Sequence, residues 1–70
     1  MKYKMIGCVG EDVEEFLYLV GQTSTLRINT EQKTVGFDDL TILVKSKRED
    51  GDKMVVKSKL GNTFTFRKVA

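Results

Sequence analysis

The feature that most restricts this chain is the alternation between Leu40 and Val69. Three runs place apolar residues every second position, and turn residues separate them. A period of two is the signature of strands with one face packed and one face solvated. The runs are Thr41 to Arg48, Asp52 to Lys59 and Thr63 to Val69, with Glu49-Asp50-Gly51 and Leu60-Gly61-Asn62 between them.

The loops set the register, because a one-residue slip turns every side chain to the opposite face. A two-residue Asp50-Gly51 loop would set Lys47 against Met54 and Lys45 against Val56. Taking Glu49-Asp50-Gly51 as the loop sets Val44 against Val56, Ser46 against Met54 and Arg48 against Asp52, a favourable charge pair. In the second turn, a Leu60-Gly61-Asn62 loop sets Ser58 against Phe64 and Val56 against Phe66, with Asn62 left-handed. The reading predicts an inner face of Ile42, Val44, Ser46, Met54, Val56, Ser58, Phe64 and Phe66. The outer face then carries Lys45, Lys47, Lys53, Lys57, Lys59 and Arg67, with Leu43, Val55 and Thr65 among them.

Upstream, Lys2 to Val9 reads as a strand with Tyr3 and Met5 inward and Lys2 and Lys4 outward. Gly7 and Gly10 kink its end. Gly7-Cys8-Val9-Gly10 lacks the Lys-Ser/Thr of a phosphate-cradling loop. Asp12 to Val20 reads as a short helix, with Asp12 and Glu15 as a capping box and Val13, Phe16, Leu17 and Val20 as its apolar stripe. A strand is the rival reading, since Phe16, Tyr18 and Val20 also alternate. Thr25–Asn29 and Thr34–Phe37 form a hairpin over the loop 30–33, pairing Leu26 with Phe37, Ile28 with Val35 and Asn29 with Thr34.

The expected fold is α+β, a small single domain covering residues 1 to 70. A strongly bent antiparallel sheet or partly open barrel of about six strands carries one short helix after the first strand. A small all-β barrel replaces it if the helix fails. A chain of 70 residues buries a small core. The two edges of an open sheet and that small core favour a homodimer.

The chemistry is bounded by what the sequence lacks. With no histidine, serine–histidine and cysteine–histidine nucleophiles cannot be built within one chain. Cys8 is the single cysteine, too few for a zinc site or an internal disulfide. It reads as an inert packed thiol, and its solitude suits a reducing compartment. The acids at 11, 12, 14 and 15 suit a helix start better than a cation site. The expectation is therefore a protein that is not an enzyme, with no cofactor, metal or membrane partner. The only apolar run near the start, Phe16 to Val20, is too short for a signal core, and a cytoplasmic location follows as the default.

What remains is charge. The net charge is +2, but residues 36 to 70 alone carry +3, with eight Lys/Arg and five Asp/Glu. The lysine face could contact nucleic-acid phosphates without reading sequence. No aromatic residue falls on it to stack bases. Alternatively the protein is an interaction module or small inhibitor that meets an acidic protein partner through Leu43 and Val55, or through Tyr18 and Leu19 beside the helix. The plainest alternative is a solvated face whose lysines discourage edge pairing.

Overall fold

The computed structural model describes residues 1–69. Six antiparallel strands follow one another around a closed ring. They are β1 (Lys2–Val9), β2 (Thr23–Asn29), β3 (Thr34–Phe37), β4 (Leu40–Asp50), β5 (Lys53–Ser58) and β6 (Thr63–Val69). Each strand pairs with its neighbour in sequence, and β6 closes on β1. The molecule is mostly β, because the segment between β1 and β2 is a seven-residue 3-10 helix, Val13–Leu19. The expected α+β class gives way to the barrel alternative, with the short helix retained after β1.

That helix is 3-10 for a reason that can be read in its side chains. Residues three apart eclipse one another in a 3-10 helix. Val13 and Phe16 are half-buried and Leu19 is fully buried, so one row faces the core. The α-helical stripe would have buried Leu17 and Val20, and both are exposed. A 3-10 helix also advances about 2.0 Å per residue against about 1.5 Å, which helps a short segment bridge β1 and β2. No capping box forms: Asp12 makes no side-chain cap. Instead its backbone N–H donates to Asn62 Oδ1 at 3.4 Å.

The core fills the ring. Met5, Phe37, Val56 and Phe66 have no exposed surface, and Tyr3, Val35, Ile42, Met54 and Phe64 are nearly as deep. Phe37 and Phe66 meet tilted, with ring centres 5.0 Å apart. Phe16 reaches from the helix to Phe64 edge-on at 5.4 Å. Aromatic pairs of this kind add to simple area burial. The helix thus lies at the end of the ring where β5 finishes and β6 begins.

The β2–β3 hairpin matches its predicted register at every pair, from Asn29–Thr34 to Leu26–Phe37. The β1 strand has its predicted bounds and faces, with a bulge between Met5 and Gly7. The meander departs from expectation in a way that matters for function. The loop between β4 and β5 is Gly51-Asp52, since Asp50 pairs with Lys53. Gly51 takes φ 62° at its first position, where a type II′ turn calls for glycine. Regular pairing from that turn sets Lys47 against Val56 and, carried on, would set Lys45 against the buried face of Ser58. A bulge between Val44 and Ser46 reverses the parity, so Val44 pairs with Ser58 and stays inward. The predicted Val44–Val56, Ser46–Met54 and Arg48–Asp52 pairs are therefore absent. Ser46 faces Lys57, Lys47 faces Val56 and Arg48 faces Val55.

Between β5 and β6 the pairs are Val56–Phe64 and Met54–Phe66, two residues away from the predicted register. An even shift preserves the faces, and Met54, Val56, Ser58, Phe64 and Phe66 are all buried as read. Asn62 is not left-handed; Gly61 is, at φ 91°. Asn62 is instead buried, its N–H donating to Ser58 Oγ at 3.0 Å.

Closure of the ring removes the two open edges that favoured a homodimer. Partial edges remain, for β1 pairs with β2 only from Lys2–Thr25 to Lys4–Thr23 and leaves the end of β2 toward Asn29 open on that side. Pairing between β3 and β4 ends at Thr34–Leu43, and β4 runs on to Asp50.

Candidate nucleic-acid interface

The six predicted phosphate-binding residues are all exposed: Lys45, Lys47, Lys53, Lys57, Lys59 and Arg67. They do not form one face. Lys53 lies opposite Arg67, which lies opposite Lys4, so three cations cross β5, β6 and β1 in one outer row. Like charges directly opposed repel, and acids temper this row. Asp50 pairs with Lys53, and the Arg67 Nε lies 3.6 Å from Asp52 Oδ2. Exposed pairs of this kind contribute little to stability, but they lower the local positive potential. Lys59 lies apart, in the loop between β5 and β6, where its N–H donates to Leu43 O.

Lys45 and Lys47 lie elsewhere: Lys45 is the bulged residue of β4, and the Gly51-Asp52 turn sets Lys47 opposite Val56. Beyond Leu43, β4 leaves β3, and the Val44 N–H bond to Lys33 O at 2.9 Å ties it to the β2–β3 hairpin. A groove of about 300 Å³ opens there. Its lining carries Lys33, Lys45 and Lys47 over Ile28, Val35 and Val44. A second depression of about 180 Å³ adjoins it, sharing Ser46 and Lys47 and adding Arg48, Val55 and Lys57. Together the two hold five cations, and no carboxylate lines either one. Glu31 and Glu49, the nearest acids in sequence, line neither depression.

Sequence reasoning missed Lys33 and Arg48 as members of this track. The cross-strand pair expected between Arg48 and Asp52 does not form, and Arg48 lies opposite Val55. Lys33 was read only as a loop residue, although a left-handed lysine at φ 56° closes that hairpin. The signal available was the length mismatch between the run Thr34–Phe37 and the longer run Thr41 to Arg48, which has to leave part of the longer strand unpaired.

The residues offered for a protein partner also separate. Leu19 is wholly buried beneath the helix and presents no surface. Tyr18 is exposed, and its hydroxyl donates to Asp39 Oδ1 at 2.8 Å. That bond is the main cause that holds the phenol above its ordinary ionisation range. Leu43 is exposed beside a small apolar depression with Phe16, Leu40 and Leu60, while Val55 is half-buried on the basic side. These residues do not form one patch.

Among the described residues, no three acids or cysteines converge as metal ligands, and no helix is long and apolar enough to cross a membrane. Comparison with protein-family models, with curated proteins and with solved structures finds no match.

Proposed function

We propose that this protein is a non-catalytic binding module that holds nucleic-acid phosphates along the distal half of β4. The supporting observation is the acid-free lining of the two joined depressions, with Lys33, Lys45, Lys47, Arg48 and Lys57 along it. Elsewhere on the basic side, Asp50 and Asp52 sit against the cations. A polyanion is drawn to the stretch where positive potential is not offset. Flexible lysines dominate the track, and they act as point charges on phosphate more readily than as readers of base edges. Binding is therefore independent of base sequence.

The test is fluorescence anisotropy with short labelled single- and double-stranded DNA and RNA across a range of salt. Five phosphate contacts on a single strand predict a slope of log affinity against log salt of roughly −3.5. Replacing Lys45, Lys47 and Lys57 together with Glu should abolish binding while leaving the melting transition in place, since all three side chains are exposed. Absence of binding to every probe at low salt would overturn the proposal. A shallow salt dependence with strong sensitivity to Leu43→Ser or Val55→Ser would favour a protein partner instead.

A further inference from the structure

The groove beside Lys45 has a floor as well as a charged rim, and the floor says more about the ligand than the charge does. Ile28 is 43% exposed, a large aliphatic side chain left open at the end of β2. It pairs with Val35, and Val44 is half-buried nearby on β4. These three make an apolar base to the groove, and Lys33, Lys45 and Lys47 stand around it. Thr30, Thr34 and Ser46 add hydroxyls to the same lining. A surface made only for backbone phosphates needs lysines and no apolar recess.

We infer that the groove holds one nucleoside phosphate unit, its base lying on Ile28 and Val44 and its phosphate among Lys33, Lys45 and Lys47. This rests on the nucleic-acid reading above and narrows it to unpaired nucleotides. A volume of about 300 Å³ is at the small end of ligand sites and suits one flat heterocycle with its sugar. A base held in a duplex presents only its edge in a groove and cannot lay its face on this floor. Aliphatic contact with a base face is indifferent to base identity, as stacking is. Asn29, the one amide in the lining, already engages its Oδ1 with the Gln32 N–H at 2.9 Å, which limits base-edge reading. The same chemistry is offered by a free mononucleotide and by one unit of a strand.

The chain has no tryptophan, so Ile28→Trp would place a single indole at the groove floor as a reporter. Stacking against a base should quench its emission. Quenching is expected with a single-stranded oligonucleotide and is not expected with pyrophosphate or a duplex. Saturation by adenosine monophosphate at a similar concentration per site would identify a free nucleotide as sufficient; quenching by the strand alone would identify a unit of a chain. A second variant guards against an artefact of the indole. Ile28→Ala in the otherwise natural chain should lower single-strand affinity threefold or more and leave duplex affinity unchanged. If anisotropy shows the strand bound but the indole stays unquenched and Ile28→Ala changes nothing, this inference fails and phosphate binding along β4 stands. If no nucleic acid binds at all, the functional reading itself fails and takes the groove assignment with it.

Discussion

Asn62 illustrates how much one side chain can settle in a barrel this small. It is buried, and its main chain and Ser58 hold each other twice: Asn62 N–H donates to Ser58 Oγ at 3.0 Å and Ser58 N–H to Asn62 O at 2.8 Å. Its side-chain oxygen also accepts from Asp12 N–H, tying the start of the helix to the loop between β5 and β6. Gly10 makes this possible. Its φ is 144°, and a Cβ there would come within 2.9 Å of the Asn62 Cα. Backbone atoms cannot step aside as a flexible side chain can, so Gly10→Ala should lower stability by about 2 kcal/mol or more in urea titration. Asn62→Ala keeps both main-chain bonds to Ser58 and removes only the long acceptor contact to the Asp12 N–H, so it should cost about 1 kcal/mol. Cys8 supports a different check. Burial pushes its thiol up, so at pH 8 less thiolate is present than on a free cysteine. Its raised folded value adds stability below the ordinary thiol range, and that contribution is lost as pH rises through the folded value. Alkylation followed against pH should lag behind free cysteine and catch up after denaturation.

The β4 strand is the element on which the functional reading turns. Its bulge keeps Val44 inward, turns Ser46 outward and leaves Lys45 as the extra residue. Bulges bend and twist the strand that carries them. Deleting Lys45 would restore regular pairing from Val44–Ser58 to Asp50–Lys53, so the protein should still fold. The deletion should weaken nucleic-acid binding more than Lys45→Ala does, because it removes the bend as well as the charge; anisotropy beside a thermal melt measures both. On β5 the opposite holds: Val56 has no exposed surface, and Val56→Asp should abolish the cooperative melt. Alternation in Met54, Val56, Ser58, Phe64 and Phe66 made the inner face of β5 and β6 legible from sequence, and the β2–β3 hairpin was legible pair by pair. The β4 register was not, because hydrophobic alternation reports parity and a bulge changes parity without changing composition. The single basic face inferred from unbroken alternation consequently divides into two. The helix was located but its type was not, since Val13, Phe16 and Leu17 satisfy an α stripe while the third core contact proved to be Leu19.

Across the whole molecule the charge is arranged by the ring. The helix and the turn before β4 collect Glu11, Asp12, Glu14, Glu15, Asp38 and Asp39 toward one end. The β2–β3 and β4–β5 hairpins carry Lys33, Lys45, Lys47 and Arg48 toward the other, with Glu31, Glu49, Asp50 and Asp52 at the hairpin tips. A polyanion is thus repelled from the helix end, and the stretch free of acids is the lining of the two depressions along β4. The partial edge of β4 runs along residues 45–50, and five of those six residues are charged. Such charges oppose edge-to-edge pairing, so sedimentation at tens of micromolar should find an 8.0 kDa monomer. The most direct test of the central claim is an amide ¹H–¹⁵N spectrum titrated with a short single-stranded oligonucleotide. Shifts should concentrate at Lys33, at Val44 to Arg48 and at Lys57. Shifts confined to Lys4, Lys53 and Arg67, or to the helix end around Tyr18 and Leu43, would contradict it.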